Sequence, residues 1–379
     1  MPASRLIGVL AALCFTGLLR AEPPSGGASA EETVAVAEPL RDALRTRLTE
    51  LKCPGALVGV FGPDGEAEAF ALGVANVTTG RPMALDFRMR IGSVTKLFVG
   101  TLVLQLADEG ALSLDDPIAR YVDGVPRGEE ITLRMLGRHT SGLFNSIENG
   151  KFQKAIMTDP DRHWTPAEIL EYAFSQKAYA APGERFRYSN SNVVLLGLAV
   201  EKATGKPLAD VMRERIVEPL NLTATGFPPP GGALPAPCPS AYRNGSPSKP
   251  IGYGDVWYDV SGYSSSWSGA AGDMYSTLAD LGRAAKPLAT GALLSDAGKK
   301  ELTDWQPTDW GKSEYGFLVT RRNGTIGHSG DVPGYNAFLG YDPVLDRAIV
   351  VLTNLSNTAD RRLPAQDLAA RTLEHLRRR

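Results

Sequence analysis

The sequence predicts an α/β (α+β) protein in which an antiparallel sheet is flanked by N- and C-terminal helices and carries an inserted, mostly helical subdomain. Strand-like apolar runs occur early in the chain and again late, whereas helical spacing dominates the stretch between them. Early and late strands on either side of a helical block indicate one sheet assembled from both ends of the chain. The runs that carry this prediction are 56–61 and 67–74 early, and 315–321, 336–341 and 347–352 late.

Residues 1–30 are predicted to be a signal peptide. Arg5 precedes an uncharged run at 6–19, which is too short to span a membrane and is typical of a secretory signal. Ala28-Ser29-Ala30 then matches a cleavage site, and a disordered N-terminal tail is the alternative. The residue before Cys14 is not small, so no lipid anchor is expected. The expected location is secreted, periplasmic or in the cell envelope, without stable membrane insertion.

The first elements of the mature chain, 31–379, follow from spacing and turn residues. Leucines at helical spacing predict a helix over 33–52. Gly62-Pro63-Asp64-Gly65 places Pro and Gly where a turn needs them, so the two early strands should form a hairpin. From Ser93 to Glu109 apolar residues fall on nearly every face, which is typical of a buried helix, and Gly110 ends it.

The later elements continue this pattern. Helical patterns extend to about residue 264 and include a Pro/Gly-rich stretch at 226–252. A final helix is expected at 359–378. The sheet part is therefore expected at about 31–125 and 265–379, and the helical part at about 126–264.

Composition excludes several function classes. The 379 residues carry 40 Lys+Arg against 42 Asp+Glu, a net charge of −2, and this balance argues against nucleic acid as a partner. Three cysteines exclude a disulfide-dense scaffold and a Cys-rich zinc module. Four scattered histidines indicate no metal site, and no cofactor is expected. Cys53 and Cys238 remain after removal of the signal, and pairing or two free thiols are equally open.

Ser93-Val94-Thr95-Lys96 is the first candidate for chemistry. Gly92 allows a sharp turn into a helix, so Ser93 should lie in the first turn, where unpaired N–H groups give a positive potential. Lys96 follows one turn later on the same face, and burial would lower its pKa so that it accepts the serine proton. A capping serine beside a chance lysine is the alternative. A second string of this spacing at 246–249, between prolines, shows that spacing alone is a weak signal.

Tyr188-Ser189-Asn190 is the second candidate, and it precedes an apolar helix-like run at 193–200. Near two cationic groups, Tyr188 is expected to act partly as a phenolate and to shuttle the proton. Asn190 is expected to orient Lys96 or the substrate amide. The alternative is a loop tyrosine followed by an N-capping asparagine.

His328-Ser329-Gly330 is the third candidate, and it occurs once, between strand-like runs. Gly330 has no side chain, so a substrate backbone can approach closely there. His328 is expected to hydrogen-bond the tyrosine and to raise the local positive potential. A structural histidine at a strand end is the alternative.

In this order the three motifs resemble those of the penicillin-recognising serine hydrolases, in the class C β-lactamase branch. That branch includes soluble D-alanyl-D-alanine carboxypeptidases, D-aminopeptidases and esterases, and the likeness is greatest to the carboxypeptidases with His in the third motif. The flanking strings at 87–92, 136–143 and 272–277 are similar too, and the resemblance covers roughly 36–377. It implies a β-lactamase/transpeptidase-like fold for 31–379.

The resemblance also implies roles for single residues. Ser93 would be the acylated nucleophile, Lys96 its proton acceptor and Tyr188 the partner base or acid. Asn190 would support Lys96 and the substrate, and His328 would take the place of the family's lysine.

Further residues would shape the cleft. The backbone N–H groups of Ser93 and Asp331 would form the oxyanion hole, and Ser329 and Gly330 would bind the substrate beside them. Trp267 matches a position that walls the cleft in the carboxypeptidases, and simple core packing is its alternative.

Two departures from the family pattern concern the substrate. Thr320 stands where some carboxypeptidases hold the substrate carboxylate with an arginine, and Arg321 should face the other side of the strand. Asp331 replaces a hydroxyl residue and adds negative charge.

The expected function is that of an exported serine hydrolase acting on peptides or amides with a D-residue, of the carboxypeptidase or D-aminopeptidase type. The alternatives are an esterase, a β-lactamase or a biosynthetic acyltransferase, and more remotely a non-catalytic penicillin-binding protein. The partner is a small peptide, ester or amide, and the oligomeric state does not follow from the sequence.

Overall fold

The computed structural model of the chain describes residues 38–63, 66–229, 232–245 and 257–378, which all belong to one unit, Val34–Arg379. The predicted signal peptide and the second Ser-x-x-Lys string lie outside the described residues. The helices are α1 (Glu38–Glu50), α2 (Thr95–Asp108), α3 (Leu133–Gly137), α4 (Gly150–Thr158), α5 (Pro166–Phe174), α6 (Asn190–Thr204), α7 (Leu208–Met212), α8 (Leu278–Thr290), α9 (Asp296–Leu302) and α10 (Pro364–Arg377). The strands are β1 (Gly55–Phe61), β2 (Ala67–Gly73), β3 (Met89–Arg90), β4 (Tyr242–Asn244), β5 (Trp257–Asp259), β6 (Tyr275–Ser276), β7 (Gln306–Pro307), β8 (Ser313–Tyr315), β9 (Thr320–Arg322), β10 (Thr325–Val332), β11 (Tyr335–Asp342) and β12 (Arg347–Thr353).

One large antiparallel sheet joins the two ends of the chain. In the described part of the molecule its order is β2-β1-β12-β11-β10-β9-β8-β7, and every neighbouring pair is antiparallel. The strands β1 and β12 pair in the middle, with Val58 opposite Val351. The predicted fold class, with a sheet built from early and late strands, is confirmed.

Helices cover both faces of this sheet, and the central strands are therefore apolar on both sides. Val350 packs into the larger core, which includes α2 and α8, whereas the next residue, Val351, packs into a second core with α1 and α10. This alternation is the period of two of an extended strand. It places the buried helix α2, and with it Lys96, directly under the sheet.

Three sequence predictions differ in detail from the structure. The run 315–321 is two strands, since Leu318 has φ +55° and donates its N–H to Gly137 O, which takes the chain out of the ladder. The third motif lies inside β10 rather than between strands. The predicted helix at 93–109 begins with a separate 3-10 turn, Gly92–Val94, before α2.

The middle of the chain is helical as expected, since α3 to α7 lie between residues 133 and 212. The exact division at 126 and 264 stays a prediction. Cys53 and Cys238 are free thiols, so the pairing left open above is not formed, and burial raises the pKa of Cys53 to about 12. Within the described ranges, no helix combines the length and the apolar character that crossing a bilayer requires.

Candidate active site

Ser93 lies in the 3-10 turn that precedes α2, where β10 presses against it. A Cβ built on Gly330 would overlap Ile91 O and come within 2.9 Å of Ser93 N. A Cβ on Gly92, whose φ is +51°, would come within 2.7 Å of Asp331 N. Only glycine permits this approach, and it brings the N–H groups of Ser93 and Asp331 onto adjoining stretches of backbone.

Asn336 fixes the direction of the Asp331 N–H group. Its Nδ2 donates to Gly330 O at 2.6 Å, and its Oδ1 accepts from Ala365 N at 2.9 Å. The carbonyl of residue 330 and the N–H of residue 331 belong to one trans peptide and point in opposite directions. Because Gly330 O points to β11, Asp331 N–H points away from β11, towards the free edge of β10.

Lys96 is fully buried under Ser93. Its Nζ lies 2.9 Å from Ser93 Oγ, 2.9 Å from Asn190 Oδ1 and 2.7 Å from Ala271 O. Desolvation lowers the pKa of Lys96 well below its ordinary value. A neutral amine donates two hydrogen bonds, which the two carbonyl oxygens accept, so its lone pair is left for the Ser93 hydroxyl.

Tyr188 approaches Ser93 from the other side, with its Oη 3.1 Å from Ser93 Oγ. Removal from water raises the pKa of Tyr188 above its ordinary value. In the resting site it is therefore a phenol that donates to Ser93 Oγ, and the expectation of a partial phenolate is wrong for this state. Its ring lies 4.5 Å from the His139 ring and 5.2 Å from the Trp310 ring.

Asn190 is the first residue of α6 and connects this helix to the lysine. Besides accepting from Lys96, it donates its backbone N–H to Asn145 Oδ1 at 3.0 Å. An N-terminal N–H of a helix has no partner within the helix, so Asn145 satisfies a group that α6 leaves open. The first two motifs of the sequence therefore meet at Lys96 Nζ.

His328 is buried in β10, and its partners differ from those predicted. Its Nε2 lies 3.3 Å from Tyr315 Oη, and its Nδ1 lies 2.6 Å from Ser329 O. Burial is the main cause that lowers the pKa of His328 to about 3. It is a neutral imidazole bonded to Tyr315 instead of Tyr188, so it adds no positive charge.

The site opens into a cavity of about 660 Å³ that runs along β10 towards α10. Ser93, Tyr188 and Ser329 line it, and so do Asp331 and Thr320. Trp267 is not part of this lining. It lies half-buried against the larger core, and its indole N–H has no partner among the described residues.

Asp331 lines the cavity near the nucleophile, and no cation of the described residues forms an ion pair with its carboxylate. Surrounding protein removes part of its hydration and raises the pKa of the carboxyl. The residue is nevertheless exposed, so water still solvates the carboxyl. We therefore treat Asp331 as an ionisable acid in contact with solvent.

On β9 the structure places Thr320, and not Arg321, at the cavity, which Arg322, Arg361 and Arg362 also line. Thr320 faces the cavity and donates its hydroxyl to Gly327 O at 2.7 Å. Arg321 points the other way, bonds Glu314 and lies 4.8 Å over the Trp305 ring. The Arg321 guanidinium is therefore paired with Glu314 on the side of β9 away from Thr320.

Sequence reasoning missed several residues of the site, namely His139, Asn145, Trp310, Tyr315 and Asn336. Of these, His139 lies within the string 136–143 and Tyr315 begins the strand-like run 315–321, so their positions carried a signal. The other three act through contacts between distant parts of the chain. No local pattern marks them.

Comparison with known proteins gives the family. The Beta-lactamase family model matches residues 40–374. Esterase EstB of Burkholderia gladioli is 30% identical over 333 residues, covering 76% of this chain and 82% of that protein. The D-alanyl-D-alanine-carboxypeptidase/endopeptidase AmpH of Escherichia coli is 33% identical over 150 residues, 38% of each protein, so the chain spans well under half the length of this curated relative.

A solved structure is similar over most of the chain. The D-stereospecific amidohydrolase from Streptomyces sp. superposes with a TM-score of 0.76 at 28% identity, covering 87% of this chain and 97% of that one. The fold, the order of the three motifs and the family model agree. The chain belongs to the Beta-lactamase family of serine hydrolases.

Proposed function

We propose that this protein is an exported serine hydrolase that forms an acyl-enzyme at Ser93 with peptides or amides containing a D-residue. One observation carries the proposal: Ser93 Oγ lies between Lys96 Nζ at 2.9 Å and Tyr188 Oη at 3.1 Å, next to an open cavity. A nucleophile between a base and an acid is the arrangement that acyl transfer requires. Export rests on the sequence of residues 1–30 alone.

In acylation, the neutral amine of Lys96 takes the Ser93 proton while Oγ attacks the substrate carbonyl. The N–H groups of Ser93 and Asp331 receive the negative charge that develops on the carbonyl oxygen. As the tetrahedral intermediate collapses, the Tyr188 phenol gives its proton to the leaving nitrogen. The products are a free amine, the ester at Ser93, a Lys96 ammonium and a Tyr188 phenolate.

Deacylation returns both protons. Water attacks the ester while its proton passes to the Tyr188 phenolate, and the departing Ser93 Oγ takes a proton from the Lys96 ammonium. The ammonium formed beside the phenolate in the first step stabilises it, which accounts for the use of a tyrosine whose resting pKa is high. Lys96 and Tyr188 thus exchange acid and base roles between the two steps.

Thr320 stands where an arginine on β9 would hold a carboxylate, and this favours substrates without a free carboxylate at the leaving group, although Arg322, Arg361 and Arg362 also line the cavity. Thr320 offers a hydroxyl already bonded to Gly327 O, and Arg321 is held by Glu314. Asp331 instead places an exposed carboxyl beside the nucleophile, which attracts a substrate ammonium group. An aminopeptidase or amidase acting on D-aminoacyl groups therefore fits better than a strict carboxypeptidase, and the similarity to the D-stereospecific amidohydrolase supports this choice.

Ester hydrolysis by the same site is the second candidate. Thr320 in place of an arginine at its position on β9 and the 30% identity to esterase EstB favour it. Both reactions pass through the acyl-enzyme and differ in how much the leaving group needs a proton from Tyr188.

The test is mass spectrometry of the protein after incubation with a panel of D-aminoacyl amides, D-peptides, esters and β-lactams. We expect an adduct on the peptide that contains Ser93, with hydrolysis fastest for D-aminoacyl amides. Ser93→Ala should abolish both adduct and hydrolysis, whereas Ser246→Ala, in the second Ser-x-x-Lys string, should change neither. Full hydrolysis by Ser93→Ala would refute the proposal.

A further inference from the structure

A chain of four hydrogen bonds runs through the buried side of the site. Ser189 N lies 3.3 Å from His139 Nδ1, and His139 Nε2 lies 3.1 Å from Tyr315 Oη. Tyr315 Oη lies 3.3 Å from His328 Nε2, and His328 Nδ1 lies 2.6 Å from Ser329 O. This hydrogen-bond network connects the segment before α6, the loop after α3, β8 and β10.

The two ends of this hydrogen-bond network, Ser189 N–H and Ser329 O, fix the direction of every hydrogen bond in it. Ser189 N–H can only donate, so His139 Nδ1 accepts and the His139 proton is on Nε2. Ser329 O can only accept, so the His328 proton is on Nδ1 and Nε2 is free. The Tyr315 hydroxyl therefore accepts from His139 and donates to His328, and no proton is left over or missing.

Further contacts hold the His139 end in place. Asn192 Nδ2 lies 3.1 Å from His139 Nδ1, and Asn192 Oδ1 accepts from Ser141 Oγ at 2.6 Å, which sets the orientation of the amide. His139 itself has φ +55°, in the left-handed region that only a few per cent of non-glycine residues adopt. Such backbone persists where surrounding contacts enforce it.

Both ends of this hydrogen-bond network contact groups that the reaction uses. The His139 ring packs 4.5 Å from the Tyr188 ring, whose hydroxyl points at Ser93. The bond from His328 to Ser329 O orients the peptide next to the one that carries Asp331 N–H. A change at Tyr315 would therefore reach the proton donor and the oxyanion hole together.

We propose that His139 and Tyr315 are positioning residues that hold His328 as the neutral Nδ1–H tautomer and, through it and the Tyr188 ring, align the two sides of the reaction centre. The proposal deepens the hydrolase function and rests on it. Among the described residues, the titratable groups near the His328 imidazole are Lys96 from α2, His139 after α3, Tyr188 before α6 and Tyr315 on β8. In this role His328 offers no proton to the substrate, because both of its nitrogens are occupied.

The test is Tyr315→Phe, which removes one oxygen and keeps the ring. Without the Tyr315 hydroxyl, nothing donates to His328 Nε2, so the pKa of His328 rises and its tautomers mix. We expect kcat to fall about tenfold with KM little changed, and the acid limb of the pH profile of kcat/KM to move to higher pH. Histidine ¹⁵N NMR should show the proton on Nδ1 of His328 in the unaltered protein and a shifted titration in Tyr315→Phe.

Tyr335→Phe is the matched control, since Tyr335 is equally buried and donates its hydroxyl to Pro239 O at 3.1 Å, away from this chain. It should leave the pH profile unchanged. A His328 proton found on Nε2, a charged His328 at neutral pH, or a Tyr315→Phe variant indistinguishable from Tyr335→Phe would overturn the proposal. The NMR result needs no substrate, so it decides this proposal even if Ser93 proves not to be acylated.

Discussion

The two faces of β10 differ in almost every property, although their residues alternate along one strand. His328 and Gly330 face the segment around Ser93 and also border the cavity, and the imidazole is buried, neutral and bonded on both nitrogens. Ser329 and Asp331 face the cavity, and the Asp331 side chain is exposed. The inner face adjoins the groups that move protons, whereas the outer face adjoins the space that a substrate fills.

This difference separates the chemistry from the choice of substrate. On the inner face Lys96 and His328 are buried and bonded to protein groups, which set their protonation states before a substrate arrives. On the outer face Thr320 and Asp331 replace groups that the family pattern leads one to expect. The comparison predicts large effects on rate from inner-face changes and effects on substrate preference from outer-face changes.

The largest expected effect is that of Lys96→Met, which removes the buried amine and keeps the length of the side chain. We expect kcat/KM to fall by about 10³-fold or more, because Ser93 loses its proton acceptor. The measurement is kcat/KM on a D-aminoacyl amide, with exposed Lys151→Met as the control. A loss of less than tenfold would show that the base lies elsewhere.

Tyr188→Phe should come next and should discriminate between substrates. Loss of the phenol removes the donor to the leaving group, so we expect kcat/KM to fall by about 10²-fold for an amide and less for the matched ester, whose leaving group needs the proton less. Tyr121→Phe, whose hydroxyl bonds Asp116 away from the site, serves as the control. Equal losses for amide and ester would argue against a leaving-group acid.

The same contrast explains how much of the molecule the sequence could predict. The catalytic candidates could be predicted because Ser93 and Lys96 are neighbours on one turn, and because α2 is apolar on every face. The sheet could be predicted because its strands are apolar runs at both ends of the polypeptide.

Long-range partners could not be predicted in this way. The protonation state of His328 depends on Tyr315, thirteen residues away in sequence, and on His139 behind it. The orientation of Asp331 N–H depends on Asn336 across a hairpin. The break between β8 and β9 at Leu318 depends on Gly137 O at the end of α3. Each of these contacts is set by tertiary packing, which local spacing does not encode.

On the outer face, Asp331→Asn should change preference more than rate. For a D-aminoacyl amide with a free amino group we expect KM to rise about tenfold, because the ammonium loses its partner. For the N-acetylated amide KM should stay unchanged, which is the internal control. Since the carboxyl binds an ammonium only when ionised, KM of the unaltered protein for the free amine should fall as pH rises through the Asp331 titration. Equal KM changes for both substrates would remove Asp331 from substrate recognition.

The smallest expected effect concerns stability, and it tests whether the inner face is neutral as described. The folded pKa of His328 is lowered to about 3, and burial also lowers that of His139. Below the ordinary pKa of about 6.5 the unfolded chain binds protons that the folded protein does not, so stability must decrease as pH falls. From pH 7 to pH 5 this linkage amounts to about 2 kcal/mol for one such histidine, or roughly 3 °C in Tm.

Thermal unfolding of the unaltered protein and of His328→Asn at both pH values measures it. The variant is less stable at pH 7, yet it should lose less on acidification, because Asn does not titrate. His163→Asn, at an exposed position, should keep the pH dependence of the unaltered protein. If His328→Asn and the unaltered protein lost the same Tm between pH 7 and pH 5, His328 would be charged in the folded state. The inner face of β10 would then carry a cation beside Lys96, and the separation between a neutral reaction centre and a charged outer cleft would fail.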